Sequence, residues 1–178
     1  QHDIKNREIL QQFQFIYHAS AIYAILNQYT TFCFNTPEEY ISIYTHELYK
    51  VDYHYRKANI GYHQLQESIS VPRKLQDVFD ALSKDYDRYL IDLNVEWQKL
   101  LQTKNFDLFA INIDKQHDFF KDYLKDFDSK VAVIISDAFR YETGYELYEQ
   151  LLTDSKNRLE INPEMVSIPS DTSLGMTN

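Results

Sequence analysis

The chain has 178 residues, of which 44% are hydrophobic and 25% are charged, and its formal net charge is −9. This composition is typical of a soluble globular protein and excludes a disordered one. No segment carries the basic footprint that nonspecific binding to a nucleic-acid backbone requires. Cys33 is the single cysteine, which excludes an internal disulfide and a cysteine-cluster metal site, so we expect a cytoplasmic protein.

The sequence shows no sign of membrane association. No apolar run approaches the ~20 residues that a membrane-spanning helix needs, and the N-terminus has no signal-peptide stretch. The first residue is Gln1 rather than an initiator Met. We therefore expect this chain to be cut from a larger protein at both ends.

The first 128 residues are predicted to be mainly helical, because apolar residues recur at steps of three and four. A first helix is expected over about residues 4 to 31. A second is expected to begin at Pro37, after a cap at Asn35 or Thr36, and to end near Gly61. The stripes that predict these two helices are Ile9, Phe13, Ile16, Ile22, Ile25 and Leu26, then Tyr40, Tyr44, Leu48, Val51 and Tyr55.

A third, long helix is predicted to begin near Pro72, because proline is favoured at the first helical position. Its apolar stripe extends over about seven turns and predicts a buried Trp97; it comprises Leu75, Phe79, Leu82, Tyr86, Leu90, Leu93, Trp97 and Leu100. A break at Asn105 is followed by the apolar piece DLFAINI and a short helix ending near Phe127. The helical domain is therefore assigned to residues 1–128.

The last part of the chain reads as the start of an α/β unit. Residues 131–135 are an unbroken apolar run, typical of a strand buried on both faces of a parallel sheet, and the polar residues Ser136 and Asp137 follow it. Ligands of open α/β sheets gather at the carboxyl ends of the strands, so an acid at this position is a candidate for chemistry. The next helix is predicted to begin near Arg140 and to pack Leu147, Leu151 and Leu152 on the sheet.

A second short strand is predicted at Met165, Val166 and Ile168, and Pro169 ends it. Four N-cap candidates follow in a row, Ser170, Asp171, Thr172 and Ser173. A hydroxyl at a helix N-terminus lies beside backbone N–H donors and is suited to a phosphoryl group. The spacing from Asp137 to Thr172 is about that of one βαβ unit, so both side chains are expected at one sheet edge.

The residues alone leave other interpretations open. Local pattern alone favours Asp137 as an N-cap of the helix after it over a ligand role, because Asp is among the best caps. On physical grounds Ser170 or Ser173 could take the place of Thr172. Arg140 and Glu142 could contact a phosphate or orient a ligand, although an ordinary polar start of a helix explains them as well.

The segments VAVIISDAFRYETGYELYEQL and PSDTSLGM resemble the opening of the PglZ domain, from phage growth limitation and bacteriophage-exclusion (BREX) defence systems of bacteria. That domain is similar to the alkaline phosphatase superfamily. Upstream, YTHELYKVDYHYRKA and DYDRYLIDLNVEWQKLL resemble the helical region that precedes it. The resemblance implies a predominantly α-helical domain, residues 1–128, followed by the first βαβ portion of an alkaline-phosphatase-like α/β domain, residues 129–178.

In that superfamily an acid closing the first strand is a metal ligand, and a Thr or Ser after the next strand is both nucleophile and metal ligand. The resemblance assigns the first role to Asp137 and the second to Thr172. It implies a pair of divalent ions, Zn²⁺ in our expectation, and metal-dependent hydrolysis of a phosphate ester by the parent protein. The remaining Asp and His ligands of the superfamily lie beyond Asn178, so we expect the site to be incomplete and this fragment alone to be inactive.

The expected partners are other proteins of the defence complex, with a nucleic acid or a phosphoprotein as substrate. A different hypothesis makes the chain a catalytically silent scaffold or interaction subunit of that complex. Two further patterns in the helical region are weaker. The six histidines lack a His or Cys partner at helical spacing, which favours structural or solvated roles. Stacking of bases on the Tyr stripe is less plausible than core packing, because we expect no Lys and Arg interleaved with its rings.

Overall fold

The structure, a computed structural model, describes residues 2–68, 71–126, 130–136, 139–156 and 158–166. Within these ranges it contains five α-helices: α1 (His2–Leu26), α2 (Pro37–Ile43), α3 (Tyr49–Ser68), α4 (Arg73–Thr103) and α5 (Tyr141–Leu152). Turns of π-helix occupy Tyr44–Leu48 and Phe120–Leu124, and 3₁₀ turns occupy Leu108–Ala110 and Gln116–Asp118. The prediction of a predominantly helical chain is confirmed for this part.

Backbone contacts divide the chain into two units, Gln1–Leu108 and Phe109–Asn178. The first unit holds α1 to α4 and the second holds α5. The domain assignment drawn from the sequence, 1–128 and 129–178, describes the pattern and the resemblance rather than backbone contacts, and it stays a prediction.

The start of α2 follows the capping chemistry expected of its sequence. The Thr36 hydroxyl accepts a hydrogen bond from the Glu39 backbone N–H at 3.1 Å, and Pro37 occupies the first turn. The Glu39 carboxylate in turn accepts from the backbone N–H and the side-chain amide of Asn35, at 2.7 and 2.9 Å. These hydrogen bonds lower the pKa of Glu39 below its usual value. The helix start is therefore fixed reciprocally from both sides, as in a capping box.

The first half of α1 buries a different face from the one predicted. Phe15 and Ile22 are fully buried, whereas Ile9, Phe13 and Ile16 of the predicted stripe are 43 to 67% exposed. The prediction is wrong here because residues 9–17 are apolar nearly all round the helix, and periodicity cannot choose between two apolar faces.

The long helix α4 confirms its prediction in extent and in most of its face. Leu82, Tyr86, Leu93 and Leu100 are buried. Trp97 is only half-buried and packs on Tyr40, with ring centroids 5.0 Å apart, so the prediction that it is buried is wrong.

The end of α4 lies close to the predicted break. Asn105 and Phe106 adopt positive φ angles of 53° and 58°, and the Phe106 N–H donates to the Leu101 carbonyl at 2.9 Å. This is the left-handed termination in which a backbone N–H satisfies a carbonyl of the last turn. Asn is among the residues that tolerate this conformation best, which is why the break at Asn105 is readable in the sequence.

Stacked aromatic rings and one buried carboxylate form the middle of the first unit. Tyr55 stacks on Tyr86 with centroids 3.7 Å apart, and Tyr62 stacks on Phe79 at 3.9 Å. Asp52 is 6% exposed and accepts hydrogen bonds from the hydroxyls of Tyr86 at 2.8 Å and Tyr44 at 2.6 Å. Tyrosine supplies both the packing area and the donors that a buried carboxylate requires.

Helix α3 continues past the residue expected to be near its end. Gly61 lies inside the helix, which extends to Ser68, and a Cβ atom built on Gly61 meets nothing within 4 Å. No neighbouring atom therefore requires a glycine at this position, and Gly61 only weakens the helix.

The second unit does not confirm the predicted βαβ portion. Residues 131–136 form no strand with any described residue, and Ile134 and Ile135 are 92 and 77% exposed. A strand is defined by a ladder of hydrogen bonds to a neighbour, and the described residues provide none for this run. Of the second predicted strand, Met165 forms a single parallel bridge with Lys115, and Ile168 lies outside the described residues.

No helix in the described part of the chain combines the length and the apolar character needed to cross a membrane.

Candidate functional site

Helix α5 begins at Tyr141, close to the start near Arg140 that was predicted for the helix after Asp137. Arg140 is the N-cap residue, and its carbonyl accepts from the backbone N–H groups of Thr143 and Gly144 at 3.1 and 3.0 Å. The Arg140 side chain makes no capping hydrogen bond and is exposed. Asp137 precedes α5 by four residues and is not its N-cap, so that alternative does not hold for this helix.

The two polar residues at the start of α5 have different environments. Glu142 is 3% exposed, and the Thr143 hydroxyl lies 3.4 Å from its carboxylate. Arg140 is exposed. A carboxylate buried to this degree is a structural element of the second unit rather than a solvated helix start. Arg140, in contrast, presents its guanidinium to solvent, where it could meet an anion.

The outward-facing leucines of α5 differ from the expectation. Leu147, Leu151 and Leu152 are 41 to 48% exposed, although they were predicted to pack on a sheet. Phe139 instead packs near the first turn, since a Cβ built on Gly144 would lie 3.4 Å from its ring. The apolar face of α5 is thus only partly covered by the described residues.

A group of carboxylates that the sequence analysis missed lies elsewhere in the second unit. The Tyr123 hydroxyl donates to Asp114 at 3.1 Å. Burial and the charges of Asp114 and Asp122 raise the pKa of Glu164 above its usual value. These acids are far apart in the sequence, so periodicity gives no signal for them. Within the described residues, no group of three or more His, Cys, Asp or Glu side chains could hold a metal ion.

The two principal site residues of the sequence analysis, Asp137 and Thr172, lie outside the described residues, as do Ser170 and Ser173. Their assignment as metal ligand and nucleophile stays a prediction. By donor chemistry, a carboxylate and a threonine oxygen are hard ligands that suit a divalent cation. They are only two donors, and a protein zinc site has four ligands as a rule. The residues therefore fit a divalent ion in kind and would form part of its site.

Comparison with known proteins bears on the same region. Residues 117–178 match the model of the BREX system PglZ alkaline phosphatase-like domain. This match spans Arg140, Asp137 and Thr172 together. No solved structure matches the chain.

Two curated relatives extend the similarity into the helical part. The chain is 28% identical over 144 residues to the alkaline phosphatase-like protein PglZ of Bacillus cereus (strain H3081.97), which covers 79% of the chain. It is 33% identical over 142 residues, 75% of the chain, to the alkaline phosphatase-like protein BrxZ of Escherichia coli O9:H4 (strain HS). The aligned part is 16% of the length of either relative. The domain match and the two relatives together show that the chain belongs to the PglZ family of BREX systems.

Proposed function

We propose that the protein to which this chain belongs is a metal-dependent phosphoester hydrolase of a bacterial BREX defence system. The observation that carries the proposal is the match of residues 117–178 to an alkaline phosphatase-like domain, because it includes both Asp137 and Thr172. The proposal places the protein in the cytoplasm, beside other proteins of the defence complex. Its substrate is a nucleic acid or a phosphoprotein.

In this proposal Thr172 is the nucleophile. Its hydroxyl loses the proton, and the oxygen attacks phosphorus in line with the ester oxygen. The bond from phosphorus to the ester oxygen breaks, the leaving oxygen takes up a proton, and water later hydrolyses the phosphothreonine. Position at a helix start would suit Thr172 to this role, because backbone N–H groups there stabilise the charge on the phosphoryl oxygens.

Asp137 would be the carboxylate ligand of the site. When bound, a pair of divalent ions would supply charge stabilisation for the attacking and leaving oxygens. The exposed guanidinium of Arg140 would add a phosphate contact, since its planar donors match phosphoryl oxygens. Glu142 has no part in this scheme, because it is buried.

Hydrolysis by the whole protein tests these roles. A generic chromogenic phosphodiester is supplied with a divalent metal, and four variants are compared: Thr172→Ala, Asp137→Ala, the double variant, and Ser173→Ala. The first two act as one unit, so each should abolish most activity and the double variant should lose little more. Ser173→Ala should cost no more than a lost cap, about 0.5 to 2 kcal/mol of stability, and should retain turnover. Thr172→Ala with unchanged turnover would contradict the proposal.

One observation favours the second candidate, an interaction subunit. Helix α1 is apolar on two faces: Phe15 and Ile22 are buried, whereas Leu10, Phe13 and Ile16 are 58, 67 and 48% exposed. A helix that is apolar all round is normally covered on both sides. An interaction role does not need Thr172, so it predicts that the Thr172→Ala protein keeps its biological activity.

A further inference from the structure

Four rings form a cluster on the surface between α1 and α3. Tyr17 and His18 lie on α1, and Tyr53 and His54 lie on α3; we call them the ring cluster. Neighbouring ring centroids are 5.1 to 6.1 Å apart, mostly in edge-to-face arrangements. Tyr17 is 64% exposed, so the cluster presents at least one aromatic ring to solvent. Such a ring is a platform on which another flat ring can stack.

Cationic side chains surround the ring cluster. The Lys57 ammonium and the Arg56 guanidinium lie 5.5 and 5.7 Å from the centroid of the Tyr53 ring. Lys50 is one turn earlier on α3, and its charge acts on His54, while that of Lys57 acts on His18. Three cations thus lie within about two turns of α3, before and after Tyr53 and His54.

The two sequence segments that carry this surface are poor in acidic residues. Residues 9–37 contain no Asp or Glu, and residues 48–66 contain only Asp52, which is buried and bonded to Tyr44 and Tyr86. The net charge of −9 is therefore carried elsewhere. A locally positive surface in an acidic protein attracts an anionic partner.

The two histidines are not suited to a metal cation here. Their Nδ1 atoms lie 2.8 Å apart and share a hydrogen bond, but Lys50 and Lys57 oppose any further positive charge. The same two lysines would attract an anion. The partner that combines negative charge with flat rings is a single-stranded nucleic acid, whose phosphates meet cations and whose bases stack on aromatic side chains.

We propose that the surface formed by the ring cluster with Lys50, Arg56 and Lys57 binds single-stranded nucleic acid. Base stacking was set aside at the level of sequence because we expected no Lys and Arg beside the Tyr stripe. The structure overturns that expectation, because Lys50, Arg56 and Lys57 lie beside Tyr53 on α3, and packing of α1 against α3 adds Tyr17 and His18. This binding is independent of the proposed hydrolysis and requires neither Asp137 nor Thr172.

Fluorescence anisotropy of the whole protein with a labelled oligo-dT of about 20 nucleotides tests the proposal. A chelator is present throughout, so that metal-dependent hydrolysis has no influence. Three cation contacts predict a slope of log K against log salt of about −2, and Lys50→Ala with Lys57→Ala should flatten it by about 1.4. Tyr17→Ala should weaken binding about fivefold or more through lost stacking.

Lys74→Ala with Lys84→Ala is the matched control, since both lysines are exposed on α4. It should leave affinity and salt slope nearly unchanged, and circular dichroism should show that all variants are folded. A poly-glutamate peptide of similar length should compete weakly. The proposal is overturned if oligo-dT does not bind, or if the control weakens binding as much as the lysine pair. It also fails if poly-glutamate competes as well as oligo-dT while Tyr17→Ala has no effect, which would indicate an acidic protein partner.

Discussion

Replacing Asp52 by Ala should destabilise the first unit strongly, because two tyrosine hydroxyls depend on this carboxylate. Tyr86 is 6% exposed, and its hydroxyl cannot easily find water once Asp52 is gone. Leaving one buried hydroxyl unsatisfied costs about 1 to 3 kcal/mol. The lost bond from Tyr44 adds about 1 kcal/mol, because that hydroxyl is only partly buried. We expect a total loss of about 3 kcal/mol.

Urea unfolding followed by the fluorescence of Trp97 measures this loss, since Trp97 is the single tryptophan and belongs to the first unit. Asp85→Ala is the matched control. Asp85 also accepts a tyrosine hydroxyl, that of Tyr23 at 2.9 Å, but it is half-buried, so water can replace it. The control should lose about 1 kcal/mol or less.

The graded variant Asp52→Asn sharpens the test. An amide can still accept from one tyrosine and donate to the oxygen of the other, so it should lose about 1 to 2 kcal/mol, less than Ala. If Asp52→Ala cost no more than Asp85→Ala, the inference that this carboxylate organises the core would be refuted.

The other predictions concern helix ends, helix interiors and pH. Gly61→Ala should raise the free energy of unfolding by about 0.5 to 1 kcal/mol in the same urea assay, because the added methyl group meets nothing, and no gain would contradict the assignment of Gly61 to a helix interior. Thr36→Ala should cost about 1 kcal/mol through the lost N-cap, whereas Thr36→Ser should cost little. Burial, His54 and Lys57 lower the pKa of His18 from 6.5 to about 4, so the folded state binds fewer protons than the unfolded state between these values. The free energy of unfolding should therefore fall by about 1 to 2 kcal/mol as pH drops from 6.5 to 4, after allowance for solvent screening. In the His18→Gln variant the free energy of unfolding should fall less over the same pH range. The isolated chain should not hydrolyse a phosphodiester, and robust chelator-sensitive turnover by it would contradict the view that Asp137 and Thr172 are only part of a site.

Local signals in the sequence were enough to predict much of the structure of the first unit. Helix α4 has a polar face opposite its stripe, so its period fixes both its existence and its buried side. The start of α2 was readable because Thr36 and Pro37 satisfy N-terminal requirements without help from the rest of the chain. Features of this kind depend on neighbours in sequence.

Features that depend on contacts distant in sequence were not predicted. The apolar residues of α1 surround the helix, and packing against Tyr62 of α3 and Phe79 of α4 selects Phe15 over Phe13 for burial. The role of Asp52 as a buried acceptor was not predicted, although an acid beside Leu48, Val51 and Tyr55 on an apolar stripe is a signal that it must find donors. The ring cluster was not predicted either, because it depends on packing of α1 against α3.

In the candidate site too, features set by local sequence were predicted and features that need distant contacts were not. The start of α5 was predicted within one residue, because it depends on local sequence. The strand at residues 131–135 was predicted from its apolar character alone, and a strand also needs partners. The roles of Asp137 and Thr172 came from resemblance, since several neighbouring hydroxyls satisfy the same local physics.

Phage restriction in cells that carry the complete BREX system, with Thr172→Ala in the whole protein, tests the central claim most directly. Ser173→Ala is the control, because it changes a neighbouring hydroxyl and leaves the proposed nucleophile in place. If hydrolysis at Thr172 is the function, the Thr172→Ala cells should lose restriction while the protein remains at normal abundance, and the Ser173→Ala cells should restrict phage normally. Full restriction by the Thr172→Ala cells would contradict the hydrolase proposal and favour the interaction subunit.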